Sequence, residues 1–230
     1  MKRFNIAVVT AFLLLGAAGF AGAQMMMGPG MMGWGWDYVP KGTKPLTIEQ
    51  AAGEVESYLK EWGNPDLELT EVMEFSNHFY AEAEEESTGI HAFELLINKY
   101  TGDIFPEPGP NMMWNTKYGH MGGMTMGGGM MMGGGMMRGG GMMRDRGYGS
   151  KGPGSKMTVS PEQAREYTQE YLDALLPGTK ADEEADAFYG YYTIHVLKDG
   201  KTYGMLSVNG YSGQIWYHNW HLEYVGMKKF

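Results

Sequence analysis

Two stretches of the chain set apolar residues at helical spacing, and a strand-like alternation follows each. Over 48–62, Ile48, Ala51, Ala52, Val55, Tyr58, Leu59 and Trp62 share one face. Thr47 and Gln50 stand where a capping box needs them, and Gly63-Asn64-Pro65 is a stop. Further on, Ala164, Tyr167, Tyr171, Leu172 and Leu175 repeat the spacing. There Ser160 is the cap, Pro161 sits at N1, Gln163 closes the box and Pro177-Gly178 ends the helix. Both read as amphipathic core helices, and neither face suggests a function. Beyond the second, "YGYYTIHVLKDGKTYGMLSVNGYSGQIWYHNW" turns at Asp199-Gly200, a two-residue hairpin signal. If Lys198 faces Lys201, Ile194 opposes Met205 and Val196 opposes Tyr203, while His195 opposes Gly204 and Thr193 opposes Leu206. Asn209 to Gly213 makes a second turn into a closing strand, "QIWYHN".

The pattern occurs twice. "TIEQAAGEVESYL" at 47–59 aligns with "SPEQAREYTQEYL" at 160–172, and "GIHAFELLINKYTGDI" at 89–104 with "GKTYGMLSVNGYSGQI" at 200–215. The expected fold class is therefore α+β: two small repeats, each one helix packed on a three- to four-stranded antiparallel sheet, joined by a disordered linker. The expected division is a signal peptide at 1–23, a Met/Gly/Trp-rich segment at 24–45, one domain at 46–108, a Met/Gly-rich linker at 109–157 and a second domain at 158–225.

The helix opening Ser/Thr-x-Glu-Gln-Ala and the strand endings Asn98-Lys99-Tyr100-Thr101-Gly102-Asp103-Ile104 and Asn209-Gly210-Tyr211-Ser212-Gly213-Gln214-Ile215 resemble the PepSY domain. The resemblance covers about 60 residues in each unit and none of the linker. It implies an exported binding module of the cell envelope, one that regulates a peptidase or another partner protein. A free-standing tandem pair departs from the propeptide pattern, because no peptidase follows it.

Composition narrows the setting. Lys2 and Arg3, the apolar run to Phe20 and the Ala21-Gly22-Ala23 exit read as a signal peptide cut after Ala23, and no cysteine follows to carry a lipid. A periplasmic or secreted location is expected, with no membrane span after cleavage. The absence of cysteine excludes disulfides, thiolate zinc sites, iron–sulfur clusters and Cys nucleophiles. Fifteen acids against two lysines over 47–108, and ten acids against six bases over 159–230, argue against nucleic acid as a partner. No nucleophile elbow, His-Glu-x-x-His or phosphate loop occurs, so no enzyme is expected.

Four features carry candidate chemistry. Met112, Met113, Met121, Met124, Met126, Met130, Met131, Met132, Met136, Met137, Met142 and Met143, with His120, make a thioether-rich tract. Such ligands select Cu(I) or Ag(I). A plain spacer and an oxidant buffer are the alternatives. "WYHNWH" at 216–221 reads first as a packed aromatic strand with partly exposed histidines, and second as a partner-binding edge in which Trp216, Tyr217, His218, Trp220 and His221 meet a peptide or protein. Both of its histidines reach one metal only if the chain bends near Asn219. "EAEEES" at 82–87 reads as a solvated acidic hairpin tip. His78, His91 and His195 are single histidines in strands, read as structural. Binding of an envelope partner leads, with soft-metal handling and a structural spacer as alternatives.

Overall fold

The structure is a computed structural model that describes residues 39–119 and 155–230. The signal-peptide expectation, His120 and the methionines from 121 to 143 lie outside the described residues. Helices α1 (Ile48–Trp62) and α3 (Pro161–Leu175) open with the expected capping boxes. The N–H of Gln50 donates to the Thr47 hydroxyl while the Thr47 N–H donates to the Gln50 amide, and Ser160 with Gln163 repeats the exchange. The face of α1 buries Ala51, Ala52, Val55 and Leu59 as expected. In α3 the buried residues are Ala164, Thr168 and Leu172, and Leu175 is 59% exposed, which corrects the expected stripe. Thr168 is tolerated inside because its hydroxyl donates to the Ala164 carbonyl at 2.9 Å.

Strands β1 (Leu67–Phe75), β2 (His78–Glu85), β3 (Ile90–Asn98) and β4 (Ile104–Pro106) follow α1, and a single turn, α2 (Pro110–Met113), closes this half. After α3 come β5 (Thr179–Ala181), β6 (Asp186–Phe188), β7 (Tyr191–Lys198), β8 (Lys201–Asn209), β9 (Ile215–Tyr217) and β10 (Tyr224–Lys229). All ten form one sheet in the order β10-β1-β2-β3-β6-β7-β8-β9, with β4 added to β3 and β5 to β7. Pairing is antiparallel except between β3 and β6, where His91 meets Phe188 in parallel. The class is α+β, but the expectation of two small separate sheets is corrected: the sheet is single and mixed. Turn and alternation signals specify hairpins locally, whereas the meeting of two sheet edges depends on side chains far apart in sequence. β10, which the sequence pattern does not announce, pairs with β1 from Glu71–Lys229 to Phe75–Tyr224.

One face of the sheet is apolar and lies under the helices. Leu69, Val72, Phe79, Leu95 and Ile97 pack with α1, and Tyr192, Ile194, Val196, Leu206 and Val208 pack with α3. The opposite face carries Glu71, His78, Tyr80, Glu82, Glu94, Tyr191, Thr193, His195, Ser207 and His218, and it is buried as well. The sheet curls until β10 lies against β8, and His195 on β7 comes within 3.7 Å of Glu71 on β1.

Three β-bulges set which side chains turn inward. Thr70 is the extra residue in β1, so Leu69 and Val72 both face the helix and Glu71 faces the interior. Ala92 is the extra residue in β3, where Ala92 and Phe93 share the helix side and His91 turns inward with Glu94. In the β7–β8 hairpin, Asp199 (φ 52°) and Gly200 (φ 73°) make the expected turn with Lys198 facing Lys201. Tyr203 then bulges, so the expected register is corrected by one residue: His195 opposes Met205, Ile194 opposes Leu206 and Thr193 opposes Ser207. Among the described residues no helix is long and apolar enough to cross a membrane.

Candidate metal centre

Five of the chain's six histidines line the interior of the curled sheet, interleaved with carboxylates. Glu107 enters from the segment between β4 and α2. Asn111 pins that segment, its amide donating to the carbonyls of Glu94 (2.9 Å) and Glu107 (3.2 Å). Gly109, at φ 81°, carries the chain beneath two indoles: a Cβ there would stand 3.1 Å from Trp220 and 3.3 Å from Trp216. Only glycine fits both the backbone and the space. From the other side, β9 stops at Tyr217, and Asn219 N–H folds back onto the Tyr217 carbonyl at 3.1 Å. This bend brings together His218 and His221, which an unbroken strand would point to opposite faces.

His221 Nε2 lies 3.0 Å and His218 Nδ1 3.4 Å from Glu107 Oε1. Neither contact is aligned as a hydrogen bond, and Glu107 Oε2 has no protein partner. Glu107 is fully buried, His218 is 1% exposed and His221 9%. Each imidazole is oriented through its other nitrogen. His221 Nδ1 is 2.7 Å from His78 Nε2, and His218 Nε2 is 2.9 Å from the Ser207 hydroxyl. Stacking fixes the ring planes, His221 on Phe75 at 4.3 Å and His218 on Trp220 at 4.7 Å. Trp220 Nε1 donates to Glu107 Oε1 at 3.0 Å. Burial works against the Glu107 charge, but the two imidazoles outweigh it and hold the carboxyl well below the usual range. Burial lowers His221 and pushes His78 well down. With its ring proton on the far nitrogen, each imidazole would turn a lone pair toward Glu107, and the three atoms would then converge as ligands for a cation.

A hydrogen-bond chain leads away from this point. Ser207 Oγ meets Thr193 Oγ1 at 3.0 Å, Thr193 donates to Glu94 Oε1 at 2.8 Å, and Tyr191 donates to Glu94 Oε2 at 2.8 Å. The Tyr80 hydroxyl is 2.8 Å from Glu94 Oε1 and 2.6 Å from Glu82 Oε1. One phenolic proton serves one of these carboxyls, so the other must bring its own. Burial, then the charges of Glu107 and Glu82, push the Glu94 carboxyl well up. Glu82 is disfavoured as an anion by burial, but the neighbouring His91 outweighs that and lowers it.

Around Glu82 lies a second cluster. His91 Nδ1 is 2.9 Å from Glu82 Oε2, and His91 Nε2 is 3.8 Å from Asp186 Oδ1. Glu71, Glu82 and His195 bring one donor atom each within 4.8 Å of one another, and so do Glu82, His91 and Asp186. Burial and the Glu82 charge push Glu71 up to about 8 and Asp186 to about 7. His91 is lowered by burial but raised more by Glu82, ending at about 9.

The candidates drawn from the sequence fall differently from expectation. The expected exposed edge is corrected at His218 and His221, which are buried; Trp216, Tyr217 and Trp220 are half-buried. Tyr217 packs into the α3-side core and Trp216 meets Trp114 edge-on at 5.8 Å. The acidic run 82–87 is not a solvated tip throughout: Glu82 and Glu85 are each 2% exposed, although Glu86 and Ser87 are in solvent. The pleat and the bulges turn the two glutamates in. Met112 is half-buried and Met113 57% exposed, both on α2. Glu71, Glu107 and Asp186 escape the sequence pattern altogether. Polar residues alternating with apolar ones, as in Glu71-x-Met73 and His78-x-Tyr80-x-Glu82, ordinarily mark a solvent face, and nothing local reveals that this face is closed over. Compared with protein families, curated proteins and solved structures, the chain matches none of them.

Proposed function

We propose that this is an exported, non-catalytic metal-binding protein whose folded part holds a borderline divalent ion of the Zn²⁺ or Cu²⁺ class through Glu107, His218 and His221. One observation carries the reading: three buried donor atoms converge without hydrogen bonding to each other. Ligands on a tetrahedral zinc with bonds of about 2.0 Å stand about 3.3 Å apart. The separations of 3.0 and 3.4 Å match that edge. Imidazole with one carboxylate suits zinc and copper better than calcium or magnesium. The resemblance of the Asn-x-Tyr-Thr/Ser-Gly turns to PepSY domains supports a place among envelope binding modules. In both turns the Asn side chain accepts two backbone N–H groups, at 2.8 and 3.0 Å in one and 3.0 and 3.0 Å in the other.

Titration of the mature protein with Zn²⁺ against a chromophoric chelator tests the reading. One tight ion per chain is expected, weakened at least 100-fold by Glu107→Gln or His221→Gln and untouched by changing the methionines of 112–143 to leucine. Uptake that survives both substitutions in folded protein refutes it. A second reading, capture of Cu(I) or Ag(I) by the methionine tract, is favoured by the position of Met112 and Met113, which begin the tract on α2 only five residues beyond Glu107. Anaerobic Cu(I) competition, with and without those methionines, decides it.

A further inference from the structure

We infer that the interior holds a second, separate metal centre: a pair of divalent ions bridged by the Glu82 carboxylate, one held by Glu71 and His195, the other by His91 and Asp186. The two triads share Glu82 and no other residue, and neither includes a ligand of the Glu107 centre. Glu82 is common to both triads: its Oε2 faces His91 Nδ1 at 2.9 Å, while its Oε1 accepts from Tyr80 at 2.6 Å and keeps a lone pair free. Two of the inner donors are orphans. Glu71 Oε1 and His195 Nε2 have no hydrogen-bond partner, although their residues are only 5% and 9% exposed and the two atoms lie 3.7 Å apart. The 2.9 Å contact of His91 with Glu82 is likewise not aligned as a hydrogen bond.

Three carboxylates and two imidazoles stand together here, the oxygen and nitrogen donors that a pair of divalent ions needs. The β-bulges at Thr70 and Ala92 both spend a residue to turn a ligand of this cluster inward, Glu71 and His91. The side chains of His91 and Asp186 are 14% and 23% exposed, which gives ions a route in from that side. Carboxylate-rich sites of this kind take Mn²⁺ or Fe²⁺ as well as Zn²⁺.

Mn²⁺ is the probe, read by electron paramagnetic resonance on the whole mature chain. Two ions sharing one carboxylate give an exchange-coupled spectrum that isolated ions cannot give. The wild type should show it. Asp186→Asn, at the half-exposed end where folding is least at risk, should abolish the coupling and leave one uncoupled ion. Glu82→Gln should remove both ions, and Glu107→Gln should leave the coupled spectrum unchanged, which separates this centre from the first. A wild type that binds only isolated Mn²⁺ or none, or a coupled spectrum that persists in Asp186→Asn or in folded Glu82→Gln, overturns the assignment.

Discussion

Glu85 ends β2 inside a cage of donors, and removing its charge should loosen the segment that delivers Glu107. Lys117 Nζ and the Tyr118 hydroxyl donate to Oε1, the Tyr189 hydroxyl donates to Oε2 at 2.5 Å, and Thr88 adds a bond at 3.1 Å. These partners come from the stretch after α2 and from the turn between β6 and β7, so one carboxylate ties three parts of the chain. Burial raises the carboxyl, but the hydrogen bonds from Lys117, Tyr118 and Tyr189 outweigh it and lower it to about 2. Against an unfolded value of about 4.3, the shift is worth at most about 3 kcal/mol. The Lys117 side chain is 34% exposed, and solvent screening of that pair brings the figure to ~2 kcal/mol. Glu85→Gln keeps the shape and loses this contribution. Because the folded carboxyl titrates below the unfolded one, the contribution is whole at neutral pH, starts to fade below about pH 4.5 and is gone below about 2. Urea unfolding of both proteins from pH 7 to pH 3 reads it. The wild type should lead by ~2 kcal/mol at pH 7, with the lead roughly halved at pH 3. A gap that stays constant over that range, or no gap at pH 7, refutes the reasoning.

Further expectations follow from the same contacts. Ser207→Ala deletes the partner of His218 Nε2 and should weaken Zn²⁺ binding about 10-fold in the chelator titration while leaving the fold intact. Gly109→Ala puts a methyl against Trp216 and Trp220 at a positive φ, and should cost on the order of 2 kcal/mol in thermal or urea unfolding together with a loss of Zn²⁺ affinity. Leu172→Ala empties a fully buried site beneath α3 and should cost about 2–5 kcal/mol in urea unfolding with Zn²⁺ affinity little changed, since no ligand lies on that face.

What can be read from the sequence is what is local. Both capping boxes, the Asp199-Gly200 turn and the apolar face of α1 follow from neighbours a few residues apart, and the structure has them. The register beyond Lys198 differs by one residue because Tyr203 bulges, and no residue type there announces a bulge. His218 and His221 stand out as a pair in the sequence, yet their third partner, Glu107, lies more than a hundred residues earlier, next to a Gly-Pro pair that reads as a turn. The larger error is one of solvent. Alternating glutamates and histidines mean a wet face in most antiparallel sheets, and here the sheet curls and the last strand, β10, pairs with the first. Closure of that kind is a property of the whole chain, so the acidic run at 82–87 looks like surface although two of its glutamates are interior.

The most direct test of the Glu107 centre is a crystal structure of the mature protein soaked in Zn²⁺, with diffraction recorded on both sides of the zinc absorption edge. An anomalous peak is expected about 2.0–2.2 Å from Glu107 Oε1, His218 Nδ1 and His221 Nε2. Zinc bound elsewhere, with no peak among these three atoms, would contradict it.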